Sequence, residues 1–379
     1  MILRSVHVVG DDGPARDVGV SGAVIASVGE AGGLYPQGAP LVDLGSAIAF
    51  PGLVNSHDHL EFNLYPLLAH DRYADYVAWS RDIQRADAAT IAAIERVPKR
   101  TRLRWGALKN LLCGVTAVAH HGDATDDTSG LAVETVPNTA IHSTGLGRRW
   151  RSALNGPANG SPYAVHVGEG TSRRAWREAA RLLRWNLRRR ALVGVHAMAM
   201  TAAQASRFRA LVWCPLSNAS LYGASANVAA FKGRTSILFG TDSTLTGSWN
   251  LWSHLRLARS LGDLEDRELF AALTAGARTA WGLRGSGRLA AGETADVVVA
   301  RKKTRGTWDA FFAVEPKDIL LVLRAGKVLL CDASLPLTPE GVASSVVRVD
   351  GSDKRVAEDV PGLLAAIRSW GVAPNLPVS

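Results

Sequence analysis

The stretch that decides the fold reads PGLVNSHDH at residues 51–59. It is an apolar run of strand type that ends in a His-x-His pair, His57 and His59. Side chains two apart in an extended strand point to the same face, so both imidazoles can reach one cation. The same spacing also occurs on solvated strands, so the pair indicates a metal site only if the chain supplies further ligands.

Length and composition favour a large core and a reducing environment. The chain has 379 residues, of which 47% are hydrophobic, so we expect one large domain and a smaller one. Its three cysteines, Cys113, Cys214 and Cys331, are odd in number and far apart, which leaves no disulfide framework and no Cys-x-x-Cys metal site. The first residues read as a strand and not as a signal peptide, and no apolar run is long enough to cross a bilayer. We therefore expect a soluble, cytoplasmic protein without membrane contact.

The net charge of +9 comes mainly from arginine, and the densest cluster lies in residues 173–190. On a helix these arginines form one stripe, which suits either nucleic-acid binding or the solvated face of an amphipathic helix. The stripe consists of Arg173, Arg177, Arg181, Arg184 and Arg188. No aromatic stacking platform or recognised nucleic-acid motif accompanies it, so we favour the solvated face and expect no nucleic-acid partner.

The hydrophobic pattern divides the chain into three parts. Residues 1–50 show short alternating runs between glycine-rich turns, and the same β-type alternation returns in residues 285–379. In residues 51–284 short apolar strands alternate with longer helical stretches, which is typical of βα units. The predicted fold class is therefore α/β: a (β/α)8 TIM-like barrel flanked by a small composite β-sandwich domain from both termini.

The predicted barrel strands leave one gap. They are residues 53–56, 115–119, 139–143, 164–167, 192–196, 211–214 and 236–240. A complete barrel requires two strands between the second predicted strand and His166, but only residues 139–143 read as one. Residues 155–162, NGPANGSP, read as loop. We expect either a barrel that is distorted or short in the third-to-fourth strand region, or a fourth strand that is poorly coded.

Four further polar residues follow predicted strands. His166 lies at the end of one strand with Glu169 three residues later, His196 ends the next, and Asp242 follows a late one. Singly, each also fits a packed histidine or a turn residue. The carboxyl ends of barrel strands meet at one mouth, so in this order the residues indicate one site together with the His-x-His pair.

This series of motifs resembles the amidohydrolase superfamily, specifically its cytosine-deaminase and aminotriazine-hydrolase branch. The resemblance extends over most of the chain. The matching segments are PGLVNSHDH at 51–59, GVT at 114–116, HVGE at 166–169, the strand ending at His196, CPLSN at 214–218, GTD at 240–242 and GETADVVV at 292–299.

The resemblance implies a role for each site residue. His57, His59, His166 and Asp242 would bind one divalent metal ion, while Glu169, His196 and Asp242 would be catalytic. A divalent cation lowers the pKa of bound water towards about 7. Asp242 would accept a proton from that water and His196 would orient it. Glu169 would carry a proton to a ring nitrogen and then to the departing amine.

The expected number of metal ions depends on the absence of a lysine from the middle of the chain. Many superfamily members hold two metals on a carboxylated lysine from a mid-barrel strand, but here no lysine occurs between Lys109 and Lys232. This favours a mononuclear site. Imidazole and carboxylate ligands suit zinc, iron and manganese alike, and we expect zinc, with iron or manganese as alternatives.

Four further residues are candidates for the substrate pocket, each with a structural alternative. His121 follows the second strand and suits the mouth or a solvent-facing turn. Arg148 either binds an acidic group of the substrate or lies on the protein surface. Trp249 and Trp252 follow Asp242, and they either lie on one helical face over the site or pack beneath that helix.

These residues predict a hydrolase that deaminates a small amino-substituted nitrogen heterocycle with release of ammonia. One alternative is hydrolysis of a cyclic amide, an imide or another leaving group on a similar ring. A second is a non-catalytic barrel that binds a ligand or metal, which is disfavoured because ligands, base and acid are all retained. The sequence leaves a homo-oligomer open.

Overall fold

The computed structural model describes residues 1–33, 38–147, 149–157, 160–341 and 343–379. The strands are β1 (Ile2–Val8), β2 (Arg16–Ser21), β3 (Val24–Glu30), β4 (Leu41–Pro51), β5 (Leu53–Asp58), β6 (Val115–His120), β7 (Glu134–Thr135), β8 (Thr139–Ser143), β9 (Tyr163–Val167), β10 (Leu192–His196), β11 (Ala210–Trp213), β12 (Ser236–Phe239), β13 (Val297–Arg301), β14 (Ile319–Arg324), β15 (Lys327–Asp332), β16 (Ser345–Val349) and β17 (Ser352–Val356). The α-helices are α1 (Tyr76–Ala86), α2 (Ala88–Glu95), α3 (Lys99–Leu112), α4 (Trp150–Asn155), α5 (Arg173–Trp185), α6 (Ala202–Ala205), α7 (Pro215–Tyr222), α8 (Leu251–Leu261), α9 (Asp266–Leu273), α10 (Ala275–Trp281), α11 (Thr307–Phe312) and α12 (Val360–Arg368).

Strands from both termini form one sheet. It has nine strands in the order β16-β17-β15-β14-β13-β4-β1-β2-β3, and β1 and β4 run parallel. Strand β13 joins the two halves because it pairs antiparallel with β4 on one side and β14 on the other. Leu3 and Val18 share one hydrophobic cluster with Val297 and Leu321. The composite origin was predicted correctly, but the hydrogen bonds make one continuous sheet instead of the two separate sheets expected of a sandwich.

The middle of the chain contains parallel strands in two sheets. One has the order β5-β6-β7 and the other β12-β11-β10-β9-β8. The outer strands β5 and β12 are linked at their ends, since the Asp242 N–H donates to the His57 carbonyl over 3.0 Å and the His59 N–H to the Asp242 carbonyl over 2.9 Å. Between β7 and β8 no backbone ladder joins the described residues. A mixed α/β fold is therefore present, whereas a barrel closed all round by hydrogen bonds is not seen in the described ranges.

The gap in the strand prediction has a simple cause. The unpredicted strand is β7, which pairs with β6 through only Glu134 and Thr135. Two residues carry no measurable alternation of polarity, so no sequence pattern marks them. Strand β7 is third among the parallel strands and β8 is fourth, so the poorly coded strand is the third and not the fourth.

Four of the five arginines of the predicted stripe lie on α5, which ends at Trp185, so Arg188 follows the helix. Its inward face consists of Ala175, Glu178, Ala179 and Leu182, while the arginines of the stripe are exposed. The three cysteines are buried and free. Among the described residues, no helix combines the length and apolar character needed to span a bilayer.

Candidate active site

The predicted metal ligands converge at the carboxyl ends of β5, β9 and β12. The Nε2 atoms of His57 and His166 are 3.1 Å apart, and those of His59 and His166 are 3.4 Å apart. Asp242 Oδ1 lies 3.5 Å from His57 Nε2 and 3.7 Å from His59 Nε2. Metal–ligand bonds of about 2.0–2.2 Å hold the ligand atoms of a tetrahedral site about 3.3–3.6 Å apart, and these four spacings are close to that range. His57, His59 and Asp242 form one group of potential ligand atoms within 4.8 Å of one another, and His57, His166 and His196 form another.

The charge states of these groups also fit a divalent cation. Burial lowers the pKa of His57, and lowers the pKa values of His59 and His166 well below the usual value, so the imidazoles are neutral and their lone pairs are free. Burial alone would raise the pKa of Asp242, but the hydrogen bond with His57 and the neighbouring histidines hold it well below its ordinary value. Two Nε2 atoms 3.1 Å apart cannot both carry protons towards each other. Neutral imidazoles around an ionised carboxylate are a donor set that zinc, iron and manganese accept.

Two hydroxyl groups fix the orientation of the Asp242 carboxylate. Oδ2 accepts hydrogen bonds from Ser217 Oγ at 2.7 Å and Thr246 Oγ1 at 2.8 Å. The other carboxylate oxygen, Oδ1, faces His57 and His59. Asp242 also has a φ of 65°, in the left-handed region that non-glycine residues seldom adopt. Such strain often occurs at functional sites, where the surrounding contacts maintain it.

His196 lies beside the predicted ligands, and a hydrogen bond to Asn218 fixes the orientation of its ring. Its Nδ1 is 2.8 Å from Asn218 Oδ1, and because an amide oxygen only accepts, Nδ1 donates. The other nitrogen, Nε2, lies 3.7 Å from Glu169 Oε1. Ligand atoms of His57, His166 and His196 all lie within 4.8 Å of one another, so His196 borders the same space as the ligands.

Glu169 is a buried carboxyl group suited to proton donation. Its side chain lines the cavity beside His166 and His196, and Tyr222 donates a hydrogen bond to Oε1 over 2.6 Å. Burial raises the pKa of Glu169 to about 7. Near neutral pH the group is therefore present in both protonated and ionised forms, which is the condition for general acid and base catalysis.

Helix α7 contacts three of the predicted site residues. Ser217 contacts Asp242, Asn218 contacts His196 and Tyr222 contacts Glu169. The CPLSN motif at 214–218 overlaps the start of this helix, but it assigns no partner to any of these side chains. Tyr222 lies four residues after Asn218, so the helical period brings both to similar faces, and this was the only sequence signal for it.

A buried polar network holds the end of β5 in place. Asp58, between the two histidines of the opening pair, accepts from Lys109 Nζ at 2.9 Å and from Asn63 Nδ2 at 2.7 Å. Lys109 also donates to Thr241 Oγ1 over 3.0 Å. The network therefore connects α3 to the end of β5, which carries His57, and to the segments that carry His59 and Asp242, and it was not predicted from the sequence.

The site opens into a cavity of about 190 Å³. Its floor includes His59, His166, Glu169, His196 and Asp242. Its walls are largely apolar and include Phe62, Tyr65, Trp79, Ile83, Ile91, Leu146 and Leu245. No lysine or arginine lies among the described lining residues, although the chain has 43 of these residues.

One of the four candidate pocket residues, His121, lies against a predicted metal ligand. The ring of His121 is buried and stacks on His166 with centroids 4.4 Å apart, and it lines a neighbouring cavity together with His59 and His142. His142, on β8, was not predicted but lines both cavities.

The two tryptophans lie away from the cavity described above. Trp252 is in the hydrophobic core with its ring against Phe50 and Phe311, so this position shows the packing alternative. Trp249 packs against the same core and lines a separate surface cavity. Arg148 lies outside the described residues.

Solved structures of several hydrolases have the same fold. Atrazine chlorohydrolase from Arthrobacter aurescens complexed with zinc aligns with a TM-score of 0.69 at 18% identity, over 97% of this chain and 99% of that chain. An adenosine deaminase from Xanthomonas campestris with bound zinc gives 0.71 at 18% identity, over 98% and 97%. N-isopropylammelide isopropylaminohydrolase from Burkholderia multivorans gives 0.61 at 19% identity, over 86% and 97%.

No protein-family model and no curated protein sequence matches the chain. The structural similarity therefore concerns the fold. It agrees with the fold that the resemblance of the motifs implied.

Proposed function

We propose that this chain, which has the fold of the amidohydrolase superfamily, is a metal-dependent hydrolase that deaminates a small amino-substituted nitrogen heterocycle. The observation that carries the proposal is the position of Glu169, a buried carboxyl group with a pKa raised to about 7, on the same cavity floor as His59, His166 and Asp242. A carboxylic acid there can protonate a ring nitrogen and so make the amine-bearing carbon electrophilic.

The metal site is proposed to be mononuclear, with zinc as the expected ion. His57, His59, His166 and Asp242 would hold the ion, which when bound activates water for attack on an sp² carbon. Asp242 is ionised and would accept the proton of that water. His196, held by Asn218, would orient the water and face the developing negative charge.

The proton on Glu169 would move twice in one cycle. The carboxylic acid first donates to the ring nitrogen, and the resulting carboxylate then takes the remaining proton of the added water and passes it to the departing amine. The proton that Asp242 accepted returns to Glu169 and restores the acid. The balance is one water consumed and one ammonia released, with a carbonyl or hydroxyl group left on the ring. This sequence requires an acid whose pKa lies near neutral pH, as burial provides here.

The cavity supports an uncharged substrate. Its described lining has no cation to receive a phosphate or carboxylate, and Glu95 at its rim would repel one. The aromatic side chains of Phe62, Tyr65 and Trp79 offer flat apolar surfaces of the kind that a heterocyclic ring contacts. A neutral aromatic amine of one or two rings therefore suits the cavity better than a nucleotide.

Departure of a different substituent is the second candidate reaction. Two of the structural neighbours are named for removing chloride or an isopropylamino group from a ring. An apolar wall next to the acid can also accept such a group. Hydrolysis of a cyclic amide or imide is a weaker alternative because it does not require ring protonation by Glu169.

The test is ammonia release from the metal-loaded protein with a panel of aminopyrimidines, aminopurines, pterins and aminotriazines. Chlorinated and alkylamino triazines are included, with chloride and amine release measured in parallel. The Glu169→Gln variant should lose turnover by about 10³-fold while retaining its metal, because general acid catalysis contributes about 10²–10⁴-fold.

The matched control is Glu134→Gln, an exposed carboxylate on β7 outside the cavity, which should turn over as the wild type does. Release of chloride or alkylamine without ammonia from any substrate would favour the second candidate. Full ammonia release by Glu169→Gln would contradict the proposed proton donor.

A further inference from the structure

Tyr222 makes a single short contact with the proposed proton donor. It is the last residue of α7, its side chain is buried, and its hydroxyl lies 2.6 Å from Glu169 Oε1. In the described part of the chain no other hydrogen bond of this hydroxyl is seen, and Glu169 Oε2 has none to protein. The two oxygens of Glu169 are therefore in different environments.

The direction of this hydrogen bond follows from the chemistry of both groups. Burial, together with the negative charge of Glu169, raises the pKa of Tyr222 well above its usual value, so the phenol remains protonated. An ionised carboxylate can only accept, so Tyr222 donates to Oε1 when Glu169 is charged. When Glu169 is protonated, the same arrangement is retained if its proton is on the other oxygen.

We propose that Tyr222 is a positioning residue that keeps Oε1 of Glu169 as the acceptor oxygen and thereby places the transferable proton on Oε2. The catalytic consequence rests on the proposed deaminase function, whereas the hydrogen-bonding arrangement does not. During ring protonation the Oε2–H bond breaks, an N–H bond forms, and the electron pair stays on the carboxylate. The negative charge then spreads to Oε1, where the phenol stabilises it.

The groups around Glu169 offer no substitute for this contact. His196 Nε2 is 3.7 Å from the same oxygen, and the charges of Asp242 and Glu178 repel the carboxylate. Glu178 is itself engaged, because Tyr76 and the Gly168 N–H donate to its two oxygens. Removal of the Tyr222 hydroxyl would therefore leave Oε1 without its only short hydrogen bond among the described residues.

The first test is the Tyr222→Phe variant of the full chain, loaded with zinc. We expect kcat for ammonia release to fall about 10- to 100-fold, the range for a hydrogen bond to a charged group, with KM and bound zinc unchanged. The matched control is Tyr73→Phe, which removes a tyrosine–carboxylate hydrogen bond of 2.8 Å to Asp82 away from the cavity. The control should keep the wild-type kcat.

The second test needs no substrate. Infrared difference spectra between wild type and Glu169→Gln, recorded at a pH of about 5 where Glu169 is protonated, isolate its C=O stretching band. If Tyr222 donates to that oxygen, Tyr222→Phe moves the band to higher wavenumber and Tyr73→Phe leaves it in place. Replacement of Tyr222 by 3-fluorotyrosine, a stronger donor of nearly equal volume, moves it to lower wavenumber and serves if the phenylalanine variant does not fold.

The outcomes separate this inference from the proposed function. A shifted band without turnover of any substrate supports the Tyr222 contact and contradicts the deaminase. Ammonia release with an unmoved band and an unchanged kcat in Tyr222→Phe overturns the role of Tyr222 and leaves the deaminase standing. An unmoved band with a lower kcat means that Glu169 donates to the phenol, which also overturns the proposed arrangement.

Discussion

The strand ends that carry the predicted metal ligands and the segment at residues 121–147 border the same site but are held in different ways. At the ends of β5 and β12, Asp58 and Asp242 each accept several buried hydrogen bonds. In residues 121–147 the strand β7 has two residues and no backbone ladder to β8 among the described residues, and His142 is exposed. Chemistry requires fixed geometry, whereas a substrate wall can vary, so we expect catalysis to depend on the first region and selectivity on the second.

The largest effect should come from Asp242→Ala, which removes a predicted metal ligand at the end of β12. We expect loss of bound metal and a fall in turnover of about 10⁴-fold, because a metal ion supplies several kcal/mol of transition-state stabilisation. Mass spectrometry measures the bound metal, and ammonia release measures the turnover. Asp123→Ala, an exposed residue of the other region, should change turnover by no more than about twofold. Equal losses of turnover in the two variants would contradict the expectation that catalysis depends on the strand ends.

The pH dependence of kcat should reflect Glu169, which lies beside the predicted metal ligands. The pKa of Glu169 is raised to about 7, so the protonated donor is present below that pH and is lost as pH rises through it. We therefore expect kcat to fall about tenfold per pH unit on the alkaline side. A pH–rate profile with excess zinc measures this limb. A flat profile between pH 6 and about 9 would mean that Glu169 does not supply the proton.

Stability should depend on the buried pair behind the ligands. Lys109→Met removes the ion-pair partner that lies 2.9 Å from the buried Asp58, and we expect the free energy of unfolding to fall by about 3–5 kcal/mol. Urea denaturation measures it. Lys232→Met breaks a partly exposed pair with Glu268 and should cost less than about 1 kcal/mol. Similar costs for both variants would show that the network does not hold the site.

The smallest effect on catalysis should come from the segment at residues 121–147. His142→Ala removes a side chain that lines the cavity but belongs to none of the predicted ligands or acids. We expect kcat to change by less than about tenfold, while the ratio of kcat/KM between small and bulky substrates changes more. A loss of bound metal in this variant would instead place His142 in the metal site.

The two regions also differ in what sequence could reveal. His57, His59, His166, His196 and Asp242 each end or follow an apolar strand, so periodicity and order were enough to bring them to one edge. The short strand β7 carries no such pattern, and its pairing depends on tertiary contacts. The partners of the catalytic groups were not predicted for the same reason.

Contacts between distant segments explain the rest of what was missed. Tyr222 and Glu169 are 53 residues apart, and Lys109 and Asp58 are 51 apart. Local sequence gives no reason to pair them, and Lys109 entered the prediction only as the limit of a lysine-free stretch. The continuous terminal sheet, likewise, depends on β13 pairing with a strand almost 250 residues earlier.

The most direct test is a titration of metal-free protein with Zn²⁺ while ammonia release from the best substrate of the panel is recorded. Activity should rise linearly and reach its plateau at one equivalent of zinc per chain, and Asp242→Ala should show no rise. Full activity without metal, or a plateau only at two equivalents, would contradict a single-metal deaminase built on His57, His59, His166 and Asp242.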